Sequence, residues 1–217
     1  MYHLVLDLEM CKVPKKYRCK EYHYASEIIQ LGAVLLDEYF NQVDTFSSYV
    51  RPIYGYIDSF IKDFTGISNE EVNDAKELEE VLIDFLCWID NREYKVYAWS
   101  ETDYMQLEHE IRCKNIDGDY IDDFMNSDRW IDYQKIFDER YGYTRSVSLE
   151  NALILCDIDP KGRMHDGLDD AINTSTLISI LENNPEYQLT HYITVEEPEP
   201  LMTCIGDMFT EIGLQPI

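Results

Sequence analysis

Four carboxylates and one histidine are the residues of this chain whose types and spacing best suit chemistry. They are Asp7 and Glu9 in His3-Leu4-Val5-Leu6-Asp7-Leu8-Glu9-Met10, Asp103 in Tyr97-Ala98-Trp99-Ser100-Glu101-Thr102-Asp103, and His165 and Asp170 in His165-Asp166-Gly167-Leu168-Asp169-Asp170. Asp7 and Glu9 sit two apart in an apolar, strand-like run, so both project from one face, roughly 6.5–7 Å apart along the backbone. Carboxylates crowded at such a strand end repel one another and lose hydration, and a hard divalent cation with oxygen ligands offsets both costs. Together the five would make one metal site assembled from three distant segments.

Each segment also has a purely structural explanation. An acidic strand end is unremarkable among 43 Asp and Glu residues. Ser100 and Asp103 have the spacing of a capping box, in which the acid reaches back to an orphan N–H at a helix start. His165 reads equally as a loop histidine before an acidic helix start, where Asp166, Asp169 and Asp170 would favour the positive end of the helix dipole.

The elements that must position these residues follow from periodicity. Strands are expected at 2–8, 28–37, 42–51 and 95–99, with a weaker one at 130–132. Helices are expected at 57–65, 76–91, 102–115, 134–141, 148–156 and 167–183. In the second of these, Leu78, Val81, Leu82, Phe85, Leu86 and Ile89 form one apolar stripe for the face of a sheet. Early strands joined by short turns, then strands alternating with helices, imply an α/β fold with a mixed sheet, an antiparallel edge and helices on both sides. The organisation reads as one domain over 1–183, followed by a segment, 184–217. This holds the proline-broken acidic stretch Glu196-Glu197-Pro198-Glu199-Pro200 and a terminal amphipathic helix over 201–212, expected to lie against the domain or to hold a partner protein.

Composition sets further bounds. A length of 217 residues suits one domain with a real core. No run approaches a membrane span and the start carries no signal peptide, so no membrane association is expected. Six cysteines without metal-type spacing read as reduced thiols in a cytoplasmic protein. The net charge of −25 opposes binding to a polyanion. Against it stand Lys12, Lys15, Lys16, Arg18 and Lys20, interleaved with Tyr17, Tyr22, His23 and Tyr24 in the segment 11–26. Basic and aromatic residues so mixed suit a single strand of nucleic acid, although a solvated loop with no partner is the alternative. A basic lip on an acidic body implies weak, short-footprint binding that leans on metal ions or a partner protein.

The order and context of the five residues resemble the DEDDh 3′-to-5′ exonucleases, of the DnaQ-like, ribonuclease H-like superfamily. Between the motifs, Glu27-Ile28-Ile29-Gln30-Leu31-Gly32-Ala33-Val34 is similar to that family's second-strand signature. Tyr49-Val50-Arg51-Pro52 and Phe64-Thr65-Gly66-Ile67-Ser68 resemble its V-R/K-P strand end and L-T-G-I loop, with phenylalanine in place of the usual leucine. Ser148-Leu149-Glu150-Asn151-Ala152-Leu153 and Leu168-Asp169-Asp170-Ala171-Ile172-Asn173-Thr174 resemble its closing helices. The likeness runs from residue 2 to about 182 and is nearest to the ERI-1/KapD-like branch.

The resemblance implies a ribonuclease H-like mixed β-sheet flanked by helices on both sides. It also implies two Mg²⁺ or Mn²⁺ ions about 3.5–4 Å apart at the scissile phosphate. By carry-over, Asp7 bridges both ions, Glu9 and Asp170 hold one, Asp103 supports the other, and His165 is the general base. The family's His-x-x-x-x-Asp spacing selects Asp170 over Asp169. The backbone around Leu8 and Met10 is expected to lie against the terminal nucleotide, with Met10 a soft apolar contact, and Trp99 and His165 are the other expected substrate-binding residues. The implied activity is removal of nucleoside 5′-monophosphates from the 3′ end of single-stranded nucleic acid. RNA is the favoured substrate, with DNA trimming, oligonucleotide degradation and a non-catalytic binding module as alternatives.

Overall fold

The computed structural model describes residues 1–18 and 22–191. The stretch 196–200 and the helix expected over 201–212 lie outside the described residues.

Five strands form one sheet in the order β3-β2-β1-β4-β5. They are β1 (Tyr2–Lys12), β2 (Ser26–Leu36), β3 (Gln42–Tyr49), β4 (Tyr94–Ala98) and β5 (Trp130–Asp132). β1 pairs antiparallel with β2, and β2 with β3, whereas β1 and β4, and β4 and β5, run parallel. This is the mixed sheet with an antiparallel edge that the alternation of elements implied. Among the described residues the helices are α1 (Lys15–Arg18), α2 (Ser59–Thr65), α3 (Asn69–Asn73), α4 (Leu78–Ile89), α5 (Glu101–Lys114), α6 (Asp119–Phe124), α7 (Tyr133–Tyr141), α8 (Leu149–Leu155) and α9 (Gly167–Asn183).

The sheet separates two apolar cores. Leu4, Leu6, Leu8 and Met10 of β1 face the first, with Val81, Leu82 and Phe85 of α4, Ile61 of α2, Leu107 of α5 and Phe124 of α6. Val5 faces the second, with Phe137 of α7, Leu153 of α8 and Ala171, Leu177 and Ile178 of α9. Helices therefore cover both faces, and the two-residue period of β1 decides which side chains each core receives. The chain after α9 returns to the second core: the Tyr187 hydroxyl donates to the Cys156 carbonyl at 2.6 Å, and the Thr190 N–H donates to Leu155 at 3.0 Å.

β1 extends to Lys12, well past the expected end at residue 8. A register shift between Glu9 and Met10 lets pairing resume from Met10↔Ile28 to Lys12↔Ser26, and Lys12 also bridges Tyr56. The basic, tyrosine-bearing segment is thereby shortened and partly folded. Lys12 belongs to the strand, Lys15–Arg18 form a single helical turn, and Tyr22 is fully buried with its hydroxyl donating to Ser26. Tyr24 stacks on His109 of α5 at 4.3 Å. Tyr17 packs against Tyr54 at 6.2 Å, so all three tyrosines expected to meet bases already have partners within the protein.

A buried ionic cluster fastens the far side of this region. The Glu27 carboxylate, fully buried, accepts the N–H groups of Ile53, Tyr54 and Gly55 at 2.6–2.8 Å. Lys114 lies 2.8 Å from Glu27 and 2.7 Å from Glu110, while Glu110 accepts the Ile28 N–H at 2.6 Å.

Candidate active site

The geometry begins with two glycines. Gly32 of β2 lies opposite Asp7 in the register, and a Cβ at Gly32 would overlap the backbone of Gly167, the first residue of α9. Without side chains on either, the start of α9 rests directly on the sheet beside Asp7. Gln30 completes the seat: its amide donates to Asp166 at 3.1 Å and accepts the Gly167 N–H at 3.0 Å. Asp166 caps α9 by accepting from Leu168 and Asp169, so this carboxylate is committed to structure.

Asp170 then falls in the first turn of α9, where the helix dipole favours a carboxylate. One oxygen accepts the His165 N–H at 2.9 Å, and the other is buried with no hydrogen-bond partner. Ligand atoms of Glu9, His165 and Asp170 lie within 4.8 Å of one another. Asp169 points elsewhere: it accepts the Arg163 N–H at 2.7 Å and fills the space that a side chain at Gly162 would need. The structure thus favours Asp170 over Asp169 for the site.

Asp103 does not make the capping bond its spacing suggested. Ser100 caps α5 through the Thr102 N–H, while Asp103 is 7% exposed and accepts the Leu8 N–H of β1 at 3.2 Å. The partner lies 95 residues away in sequence, and the bond turns the carboxylate toward Asp7 and Glu9. No hydrogen-bond donor among the described residues reaches the carboxylates of Asp7 or Glu9.

Such crowding has an electrostatic signature. Burial, and then the charges of Asp103, Asp170 and Glu9, hold the Asp7 carboxyl well above its ordinary value. Glu9 is raised by burial, then by Asp170 and Asp103. Burial pushes both Asp103 and Asp170 up to about 7. Four acids that resist ionising together, one with an unpartnered buried oxygen, make a donor set that suits hard divalent cations. His165 moves the other way: burial, helped by the Arg163 guanidinium, lowers its imidazole to about 4. It is neutral at pH 7 and able to accept a proton.

All five predicted catalytic residues are therefore brought together, whereas the side chains of Leu8, Met10 and Trp99 lie in the cores. Leu8 and Met10 sit on the opposite face of β1 from Asp7 and Glu9, 4% and 1% exposed in the first core, and the Leu8 N–H is already given to Asp103. The same two-residue period that joins the acids excludes these side chains, so Met10 offers no apolar contact to a substrate. Trp99 lies in the second core with its indole N–H donated to Val147 at 3.1 Å.

Residues that the sequence reading did not assign stand at the site instead. Phe64 stacks on the His165 ring at 3.7 Å, and Arg163 donates to the Asp63 carbonyl at 2.8 Å. The phenylalanine at the L-T-G-I leucine position was the available signal for the first; nothing marked the arginine.

Comparison with known proteins bears on the family and the fold. The family model described as Exonuclease matches residues 4–178. Human ERI1 exoribonuclease 2 is 31% identical over 203 residues, covering 81% of this chain and 28% of that protein. The probable 3′-5′ exonuclease KapD of Bacillus subtilis is 24% identical, covering 91% of this chain and 89% of that one. The chain spans about a quarter to just over half of the length of the vertebrate relatives it matches. Among solved structures, the nuclease domain of 3′hExo, a DEDDh family member bound to rAMP, superposes with a TM-score of 0.70 at 22% identity, covering 88% of this chain and 97% of that domain. By its fold, and by a family match over most of its length, this chain belongs to the exonuclease family.

Proposed function

We propose that the chain is a divalent-metal-dependent 3′-to-5′ exonuclease. It takes nucleotides one at a time from the 3′ end of a single strand, RNA in preference to DNA, and releases nucleoside 5′-monophosphates. The observation that carries this reading is the convergence of Glu9, His165 and Asp170 within 4.8 Å beside Asp7 and Asp103, five residues from three separate segments. The preference for RNA is supported by the relatives named as exoribonucleases and by the rAMP held in the related nuclease domain.

Asp7, Glu9, Asp103 and Asp170 would hold two Mg²⁺ or Mn²⁺ ions, which when bound polarise the scissile phosphate and acidify a water. The remaining work belongs to the chain. His165, neutral at pH 7, accepts the proton of the attacking water. The Asp170 carboxylate holds the His165 backbone, so base and acid keep a fixed separation. The bond between Asp103 and the Leu8 N–H fixes the active end of β1. With a net charge of −25, affinity for the strand rests on these cations and on a short basic surface that neutralises few phosphates, so binding is weak and only shallowly salt-dependent.

A cytoplasmic setting belongs to the same proposal. It is supported by free thiols at Cys11, Cys87, Cys113 and Cys156, and among the described residues no helix is long and apolar enough to cross a membrane.

The test is a 5′-labelled RNA, the matched DNA and a dinucleotide, each incubated with Mg²⁺ or Mn²⁺ and then with chelator. Stepwise 3′ shortening of RNA that stops with chelator supports the reading; binding without shortening would point to a non-catalytic module. Asp7→Ala should abolish monophosphate release, and activity retained in a pure preparation of that variant would refute the assignment.

A further inference from the structure

A general base must be aimed as well as neutral. Imidazole bases are usually oriented by a hydrogen bond on the ring nitrogen away from the reaction. Among the described residues, neither ring nitrogen of His165 has a hydrogen-bond partner. The backbone gives it little rest of its own, since His165 has φ +65°, a left-handed conformation rare for a side-chain-bearing residue.

What touches the ring is Phe64, face to face, with centroids 3.7 Å apart and planes 22° apart. Phe60, one turn earlier on α2, stacks in turn on Phe64 at 5.8 Å and 15°. Three rings thus run in a column from the surface to the histidine. The loop carrying His165 is tied to the end of that column by Arg163, which donates to the carbonyls of Asp63 at 2.8 Å and Phe64 at 3.4 Å, the last turn of α2. Gly66, which ends α2 at φ +80°, leaves the room its guanidinium needs, since a Cβ there would overlap it. From the other side Asn173 holds Lys161 through two hydrogen bonds, and Asp169 holds the Arg163 N–H.

We propose that Phe64 and Arg163 are positioning residues for His165. The Phe64 ring sets the tilt of the imidazole in the role that a hydrogen-bond partner fills elsewhere, and Arg163 locks the helix end that bears Phe64 to the loop that bears the histidine. The proposal rests on the nuclease reading for the task it gives His165, but the contact itself is observable without turnover.

The test uses the full chain with Mn²⁺ and labelled RNA. Phe64→Leu and the exposed-site variant Arg163→Gln are each expected to lower kcat roughly ten- to hundredfold while KM stays nearly constant, since misplacement of a reacting group by about 1 Å has this order of cost. Phe64→Tyr keeps the stacked face and should restore kcat. In a His165→Asn background neither change should cost anything further, because residues acting through one group are not additive. Independently of activity, the His165 ring-proton resonances, assigned by their loss in His165→Asn, should move downfield in Phe64→Leu as the ring current is removed. The proposal is overturned if KM rises with kcat kept, if the loss repeats in full on His165→Asn, or if the resonances do not move. Absence of nuclease activity with a shifted resonance would instead overturn the functional reading and leave the contact standing.

Discussion

Asp103→Asn should stabilise the metal-free protein while destroying its proposed activity. Asp103 is buried, and its carboxyl is raised from an ordinary value near 3.8 to about 7, chiefly by burial and then by neighbouring acids including Asp132 and Asp170. The folded protein therefore holds this proton more tightly than the unfolded chain does. The contribution of the group to stability is intact below about pH 4, falls as pH rises, and levels off above about pH 7. About three pH units at about 1.4 kcal/mol each give an upper bound of about 4 kcal/mol for the cost of the ionised acid at pH 8. Asparagine removes that cost and keeps an oxygen for the Leu8 N–H, so a net gain of about 2–4 kcal/mol is expected. For a domain of this size that corresponds to a rise in Tm of roughly 5–12 °C. Thermal unfolding in chelator at pH 4, 5 and 8 measures it: the gain should be small at pH 4, under half of its full value at pH 5 and full at pH 8. Saturating Mg²⁺ should narrow or invert the gap, because only the wild type gains the full stabilisation of ligand binding, about 2.7 kcal/mol at a hundredfold excess over Kd. An unchanged or lower Tm at pH 8 in chelator, or a gain independent of pH, would refute the view that four crowded acids await cations.

Three further perturbations probe separate parts of the molecule. His165→Asn should leave Mn²⁺ affinity nearly intact by calorimetry while abolishing turnover; in the wild type the acidic limb of kcat should lie well below pH 6.5, since the imidazole is lowered to about 4 and stays a base down to that region. Gly32→Ala should force the start of α9 off the sheet, costing about 1–3 kcal/mol in denaturant unfolding and most of the activity, whereas Gly142→Ala, at the exposed end of α7 with φ +72°, should cost stability through backbone strain alone and leave activity intact. Glu27→Ala should cost about 3–5 kcal/mol by the same measurement, because it strands three loop N–H groups in the interior and leaves the buried Lys114 ammonium with Glu110 as its one remaining carboxylate partner among the described residues.

What could be read before folding was whatever depends on local period. The long strands, the amphipathic α4 and the order of the five chemical residues all announce themselves within short windows. The helices α3 and α6, five and six residues long, complete one turn but not two, so no apolar repeat marks them in the sequence. Asp103 was ambiguous for a different reason: its capping spacing is a local fact, but the bond it makes crosses 95 residues to Leu8. The tyrosines after β1 read as an exposed binding surface because aromatic content carries no information about burial, and Tyr22 proved to be interior. The apolar contact expected of Met10 fails on the same alternation along β1 that joins Asp7 and Glu9, since it turns the Met10 side chain into the first core.

The seam between Gly32 and Gly167 has a wider consequence. Where a helix meets a sheet through side chains, rotamers give the joint slack, and a repacked neighbour can shift it by fractions of an ångström. Here main chain meets main chain, so the joint has no torsions of its own to relax. The carboxylate half of the site inherits that stiffness, whereas the histidine half is a loop held through side chains: the Phe64 ring, the Arg163 guanidinium, and hydrogen bonds to Asp169, Asp170 and Asn173. The site is thus mechanically two-sided, a hard anvil facing a compliant hammer, and adaptation to a new strand or a new temperature has most freedom on the compliant side.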